Sequence, residues 1–171
     1  MKKLLLIINP IAGKKRGIDF LLEIVKRFED VGYQVETRYT EIDKNATVVT
    51  LNYGEDKDLI VCCGGDGTLK ETICGVMTLE SSAKIGYIPM GTTNDFAHSL
   101  HIPTDPLEAV DTIINGKELK VDIGDFNGDE QFIYVSCFGN FCDVSYKAKQ
   151  KLKNKIGRGA YYWKTAKEVH K

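Results

Sequence analysis

The chain has 171 residues, 43% of them hydrophobic and 27% charged, with 16 Gly and 4 Pro. That length suits one ordinary domain, or one domain with part of another, and the composition excludes disordered, collagen-like and mucin-like chains. The net charge of −1 conceals a split: Val144 to Lys171 holds nine Lys and Arg against Glu168 alone, a net +8, which leaves −9 on the first 143 residues.

Leu4 to Ile8 is a purely aliphatic run, far short of the roughly 20 residues that a membrane span needs. Lys2-Lys3 before it resembles the start of a signal peptide, but Asn9-Pro10 closes the run before the ~7 residues of a signal core. It reads as a buried strand in a soluble cytosolic protein. A Gly/Lys-rich loop through Gly17 follows. Ile18, Leu21, Leu22, Val25 and Phe28 then share one helical face, with an end near Gly32. Gln34 to Tyr39 alternates as a strand, and a short helix is expected over 46–53.

Leu59 to Cys63 is a second buried strand, running into Gly64-Gly65-Asp66-Gly67-Thr68. A helix from Thr68 to about Met77, a strand over Ile85 to Ile88, and a helix opened by Asp105 as N-cap, Pro106 and Glu108 and closed by Gly116 complete the body. Strands alternating with helices predict an α/β fold with a parallel sheet. After about Lys120 the pattern changes to strand-like runs over 119–126 and 131–138 around Asn127-Gly128, a hairpin signal, and then to helices from about Phe141. Residues 1–120 therefore read as one domain, and 121–171 as the incomplete start of a β-rich second domain. Cys62, Cys63, Cys74, Cys137 and Cys142 are odd in number and form no CxxC pair, so they read as reduced structural thiols rather than a metal site.

Three loops carry chemistry. Asn9-Pro10-Ile11-Ala12-Gly13 follows the first strand. Free backbone N–H groups there, beside a helix N-terminus, favour a phosphate, and Lys14, Lys15 and Arg16 add positive charge. The alternative is an ordinary strand-to-helix connection. Gly64 to Thr68 has three glycines in four positions, which implies a tight turn open to a bulky anion. Its Asp66 can organise Mg²⁺, directly or through water, or orient a sugar hydroxyl; otherwise it is a turn aspartate bonding its own backbone. Thr68-x-x-Glu71 also reads as a capping box. The pentapeptide lacks the Gly-Lys-Ser/Thr ending of a Walker A loop and is no dinucleotide fingerprint. Pro89-Met90-Gly91-Thr92-Thr93-Asn94-Asp95-Phe96 is the third loop. In a parallel sheet all three open on one edge and can build one site.

Asn9-Pro10-x-Ala12-Gly13, Gly64-Gly65-Asp66-Gly67-Thr68-Leu69 with Glu71, and Pro89-x-Gly91-Thr92-x-Asn94-Asp95-Phe96-Ala97 together resemble the diacylglycerol kinase catalytic-domain family, in particular the bacterial soluble lipid kinases. Val121-Asp122-Ile123-Gly124 and the Lys-rich stretch leading to Gly159-Ala160-Tyr161 extend the resemblance over essentially the whole chain. It implies a three-layer, Rossmann-like fold of the NAD kinase and diacylglycerol kinase type, and ATP- and Mg²⁺-dependent phosphorylation of a lipid hydroxyl. It assigns Asn9, Pro10, Ile11, Ala12, Gly13, Gly64, Gly65, Gly67, Thr68, Glu71 and Thr92 to ATP, with Thr40 as a weaker match. Asp66 would place Mg²⁺-ATP, as catalytic residue and metal ligand, and Asn94 and Asp95 would shape the cleft. Lys70 stands where the family usually has Asn, and no residue matches the family's acidic general base.

The resemblance implies diacylglycerol or a similar lipid as partner and leaves a homodimer open. An NAD kinase, in which Asp66 would act on the acceptor, and an inactive nucleotide-binding module are the competing readings. The basic stretch over 144–171 is expected to face an anionic membrane surface rather than nucleic acid. The alternative is a solvated helix face.

Overall fold

Apolar runs supply the strands of a parallel sheet. β1 (Lys2–Ile8) buries Leu4 to Ile8 completely, and β3 (Leu59–Gly64) is buried along its whole length. Continuous apolar strands are what a parallel sheet covered on both faces requires. β2 (Tyr33–Tyr39) and β4 (Lys84–Pro89) complete the sheet in the order β2-β1-β3-β4. All pairs are parallel, with Ile8 beside Tyr39 on one side and Cys63 on the other, and Cys63 beside Ile88. The computed structural model describes residues 1–12, 19–41, 45–126 and 130–133, all within the compact unit Met1–Ile133.

α1 (Leu21–Asp30) joins β1 to β2. Ile24 and Phe28 are its buried residues, flanked by Leu21 and Val25, whereas Leu22 is 86% exposed. The apolar stripe thus runs through 21, 24, 25 and 28, and Leu22 falls outside it; Ile18 lies outside the described residues. Gly32, at φ +90°, ends the connection in the left-handed region that glycine enters freely. α2 (Ala46–Tyr53) matches its expected span and is N-capped by Asn45, whose side chain accepts from the Val48 N–H at 3.1 Å. α3 (Asp66–Thr78) links β3 to β4, α4 (Asp95–Ser99) is one short turn, and α5 (Pro106–Asn115) closes the body. Asp105 caps α5 by accepting from the Leu107 and Glu108 N–H groups at 3.0 and 3.1 Å.

Period-two alternation divides the side chains between two layers. Leu4, Leu6, Ile8, Val61 and Cys63 pack with α1 and α5, whose facing surfaces are also joined by Arg27 to Asp111 at 2.7 Å. Leu5, Ile7 and Ile60 pack with α2 and α3. Cys62 and Tyr87 on that same side meet Leu69, Ile73 and Ala97, with Ile123 and Ile133 at the margin. The fold is α/β in three layers, as expected.

The expected hairpin is present but shorter. β5 (Gly124–Phe126) and β6 (Glu130–Phe132) pair antiparallel, with Gly124 opposite Phe132. Leu119 and Val121 are exposed, so residues 119–122 have no buried apolar face to hold them in a strand, whereas Ile123 packs at the margin of the core. Asn127-Gly128, residues 134–138 and the basic stretch lie outside the described residues. Among the described residues, no helix is long and apolar enough to cross a membrane.

Candidate functional site

From β1 the chain passes to β2 on one side, then crosses to β3 on the other. This reversal places the ends of β1 and β3 side by side, where an open parallel sheet binds its ligand. The Asn9 N–H donates to the Cys63 carbonyl at 2.9 Å, which fixes the first loop against the third strand. The Asn9 side chain then turns both ways. Its Oδ1 accepts from the Ile11 N–H at 3.1 Å, and its Nδ2 donates to Thr68 Oγ1 at 3.0 Å. Asn9 therefore shapes its own loop and ties it to the first turn of α3. On the far side of β1, the Thr40 N–H donates to the Ile8 carbonyl at 2.9 Å and brings the end of β2 to the same edge.

The loops after β3 and β4 meet backbone to backbone. A Cβ placed on Gly91 would stand 2.7 Å from Gly65 Cα and 2.6 Å from Asn94 Oδ1, a space no side chain can enter. Asn94 is buried, adopts φ +50°, and accepts from the Gly91 N–H at 2.7 Å. Its Oδ1 also receives a long bond, 3.4 Å, from the Tyr87 hydroxyl. Asp66 closes the arrangement from the other loop. Its Oδ2 accepts from the Asp95 N–H and its Oδ1 from the Phe96 N–H, each at 3.1 Å, and Thr93 Oγ1 donates at 3.4 Å. The carboxylate thus bonds the backbone of the neighbouring loop rather than its own turn, and keeps acceptor capacity beyond these three donors.

α3 begins at Asp66, two residues earlier than expected, with extended Gly65 as N-cap and no side-chain capping bond. The Thr68-x-x-Glu71 capping box does not form. Thr68 is buried against Asn9, and Glu71 Oε2 accepts from the Ala46 N–H at 3.1 Å, capping α2 instead. The α3 N-terminus is consequently left to an outside acceptor, and a helix N-terminus favours an anion. Gly67 is exposed, and a Cβ there would meet nothing within 4 Å. The donor set fits a nucleotide's phosphates. Asp66 fits the one or two carboxylates with which Mg²⁺ is usually held together with phosphates. Among the described residues, no group of three or more His, Cys, Asp or Glu side chains could hold a metal ion unaided.

The expected residues converge, with different duties. Asn9 and Pro10 are half-buried, Ile11 is exposed, and Ala12 is buried in the core beside α1; Gly13 lies outside the described residues. Gly64 is buried at the end of β3, where a Cβ would stand 2.7 Å from Thr68 Cβ and Oγ1 and leave no room for a side chain. Thr92 is half-buried and Asp95 exposed on the same rim. Sequence reasoning missed Tyr87 and the part Thr93 plays. A tyrosine inside a buried strand needs a hydroxyl partner, and that was the available signal. Burial raises the Tyr87 hydroxyl pKa well above its ordinary value, with nearby Asp66 adding to the effect, so the group stays a neutral donor to Asn94. Burial likewise raises the Cys62 thiol strongly and pushes Cys63 up to about 12, which leaves these free cysteines inert below the site.

The family profile described as "Diacylglycerol kinase catalytic domain" matches residues 3–126. Curated proteins named diacylglycerol kinase from Staphylococcus carnosus (strain TM300) and Bacillus subtilis (strain 168) are 40% and 39% identical to this chain. Those matches cover 95% and 96% of the chain but 53% and 54% of the relatives. The chain thus spans about half the length of the curated relatives it matches. A crystal structure described as that of a diacylglycerol kinase from Bacillus anthracis str. Sterne is similar in fold, with a TM-score of 0.68 and 32% identity over 77% of this chain and 45% of that one.

Proposed function

The chain belongs to the diacylglycerol kinase catalytic-domain family, and from that premise we propose that residues 1–120 form the Mg²⁺-ATP-binding domain of a lipid kinase whose acceptor is a lipid hydroxyl such as that of diacylglycerol. The observation that carries this reading is the uncapped N-terminus of α3, open at Gly67 and placed where the connections from β1 and β3 diverge. The backbone of Gly64, Gly65, Gly67 and Thr68 would hold the phosphates. The loop from Asn9 through Pro10, Ile11 and Ala12 to Gly13 would line one side of the nucleotide, and Thr40 and Thr92 its flanks.

Asp66, supported by the Asn94–Asp95 turn, would hold Mg²⁺ and is the residue we assign to catalysis. Bound Mg²⁺-ATP supplies the phosphoryl group and neutralises charge as it is transferred. The protein's part is positioning and a fixed array of donors. Two contacts between the loops, the close approach of Gly65 to Gly91 and the Phe96 N–H bond to Asp66, would keep that array from relaxing. Residues 121–171 would begin a second domain, and the basic stretch after Val144 would lie against an anionic membrane surface on the cytoplasmic side.

Calorimetric titration with ATP in the presence and absence of Mg²⁺ tests the binding claim; no saturable binding rejects it. Phosphoryl transfer to dispersed diacylglycerol is then compared with transfer to NAD. Transfer to NAD alone overturns the lipid assignment, and binding without transfer to either leaves a nucleotide-binding module. Sedimentation with vesicles is expected to rise with anionic lipid content and fall with salt, each cation near the surface contributing about 1 kcal/mol. Indifference to lipid charge removes the membrane assignment.

A further inference from the structure

Tyr87 is 5% exposed on the face of β4 that turns toward α3, in the apolar group formed with Cys62, Leu69, Ile73 and Ala97. A buried phenol ordinarily brings its hydroxyl to a partner, and here it reaches Asn94 Oδ1 at 3.4 Å. The ring meets that of Phe96 edge-on, with centroids 6.3 Å apart and an interplanar angle of 62°. Tyr87 thus grips the residue on either side of Asp95.

That stretch carries a pair of donors. The Asp95 N–H donates to Asp66 Oδ2 and the Phe96 N–H to Oδ1, each at 3.1 Å. One donor on each oxygen fixes the plane of a carboxylate as well as its place. The aim of both donors depends on Asn94, which precedes them at φ +50°, in the left-handed region that a non-glycine residue keeps only when its surroundings hold it there. Its side chain grips Gly91 twice, Oδ1 accepting from the N–H at 2.7 Å and Nδ2 donating to the carbonyl at 3.3 Å. Its own carbonyl accepts from the His98 N–H at 3.0 Å and opens α4. Tyr87 ties this turn to the sheet beneath it.

We propose that Tyr87 is a positioning residue for Asp66: through Asn94 and Phe96 it aims the Asp95 and Phe96 N–H groups, and so the carboxylate, at the Mg²⁺ that accompanies the nucleotide. This rests on the Mg²⁺-ATP reading above and deepens it, because it makes the metal-dependent part of nucleotide affinity depend on a side chain buried beneath the site.

Y87F removes the hydroxyl and keeps the ring. Asn94 Oδ1 retains the Gly91 N–H, so no buried acceptor is orphaned and the variant is expected to fold. The quantity to measure is the ratio of ATP affinity with Mg²⁺ to that without, by calorimetric titration. Y87F is expected to lower this ratio about threefold, the effect of one neutral hydrogen bond, with binding in the absence of Mg²⁺ unchanged. In a D66N background Y87F should lower it no further, because Asp66 carries the effect. Hydrogen exchange of the Asp95 and Phe96 amides should quicken in Y87F, while the Glu108 amide, capped by Asp105, exchanges as in the wild type. Should Y87F fail to fold, F96L removes the ring partner instead and is expected to lower the ratio in the same way.

A wild-type ratio in Y87F, equal losses with and without Mg²⁺, or a Y87F effect undiminished in D66N would each overturn the proposal. So would unchanged exchange at Asp95 and Phe96. If wild-type affinity ignores Mg²⁺, the metal reading fails, while the exchange measurement still decides whether Tyr87 holds the two amides on Asp66.

Discussion

A methyl group added at Gly67 meets nothing within 4 Å, while one added at Gly91 lands 2.6 Å from Asn94 Oδ1 and 2.7 Å from Gly65 Cα. The two substitutions are therefore expected to separate binding from folding. G67A should leave stability unchanged or raise it by about 0.5 kcal/mol, because alanine restricts the unfolded chain and favours a helix. It should still weaken Mg²⁺-ATP binding by narrowing the approach to the α3 N-terminus. G91A should cost about 1–3 kcal/mol, since its strain falls partly on backbone. Urea unfolding beside nucleotide titration checks both; a G67A protein that binds as wild type would place the phosphates elsewhere. Asn94 carries a related expectation. N94A leaves the Gly91 N–H and the Tyr87 hydroxyl without their common acceptor, a loss of about 1–3 kcal/mol, measurable by the same unfolding curves.

Among the elements, the α2–α3 pair and α5 give contrasting tests. G75V would press a branched side chain into Thr50 and the Thr47 carbonyl and force the two helices apart. Overpacking of this kind costs typically about 1–3 kcal/mol, measurable by the same unfolding curves. D105A removes an N-cap remote from the loops and should cost about 1 kcal/mol with affinity unchanged. The elements legible in the sequence were those with a strong period or a sharp punctuation mark: the aliphatic strands, α2 over its full span, and α5 between Asp105 and Gly116. α4 was not legible, because five residues carry no helical period and its N-terminus is held by Asp66, at the start of α3, 29 residues earlier. The early start of α3 and the redirected Glu71 have the same cause. Local spacing suggested a capping box, and tertiary partners, Asn9 and Ala46, took both of its side chains.

Across the whole molecule, the acid response has a traceable source at the sheet edge opposite the loops. Hydrogen bonds from Lys3 and Lys57 lower the Asp56 carboxyl from 3.8 to about 2. A depressed folded-state pKa contributes stability that is complete above about pH 4 and is lost as the pH falls toward 2. The gap in melting temperature between wild type and D56N should therefore close over that interval and shrink with salt, Asp56 being well exposed. A gap that persists at pH 2 would mean that Asp56 acts through packing. The parallel α/β class was legible at this scale, because strands alternating with helices point to a parallel sheet, whereas the strand order came from the structure. Which helix would cap which loop was not legible either, since those bonds join residues 25 to 59 positions apart.

The strand order also sets a sequence of events during synthesis. β1 is central, yet its partners are made at different times: β2 by residue 39 and β3 only by residue 64. A chain emerging at about 5–20 residues per second can pair β1 with β2 early, and then presents the other edge of Leu4–Ile8, aliphatic and free of charge and proline, until β3 arrives. Such an edge templates association between nascent chains. Slowed elongation between residues 40 and 64 should therefore lower soluble yield more than the same delay placed after residue 90.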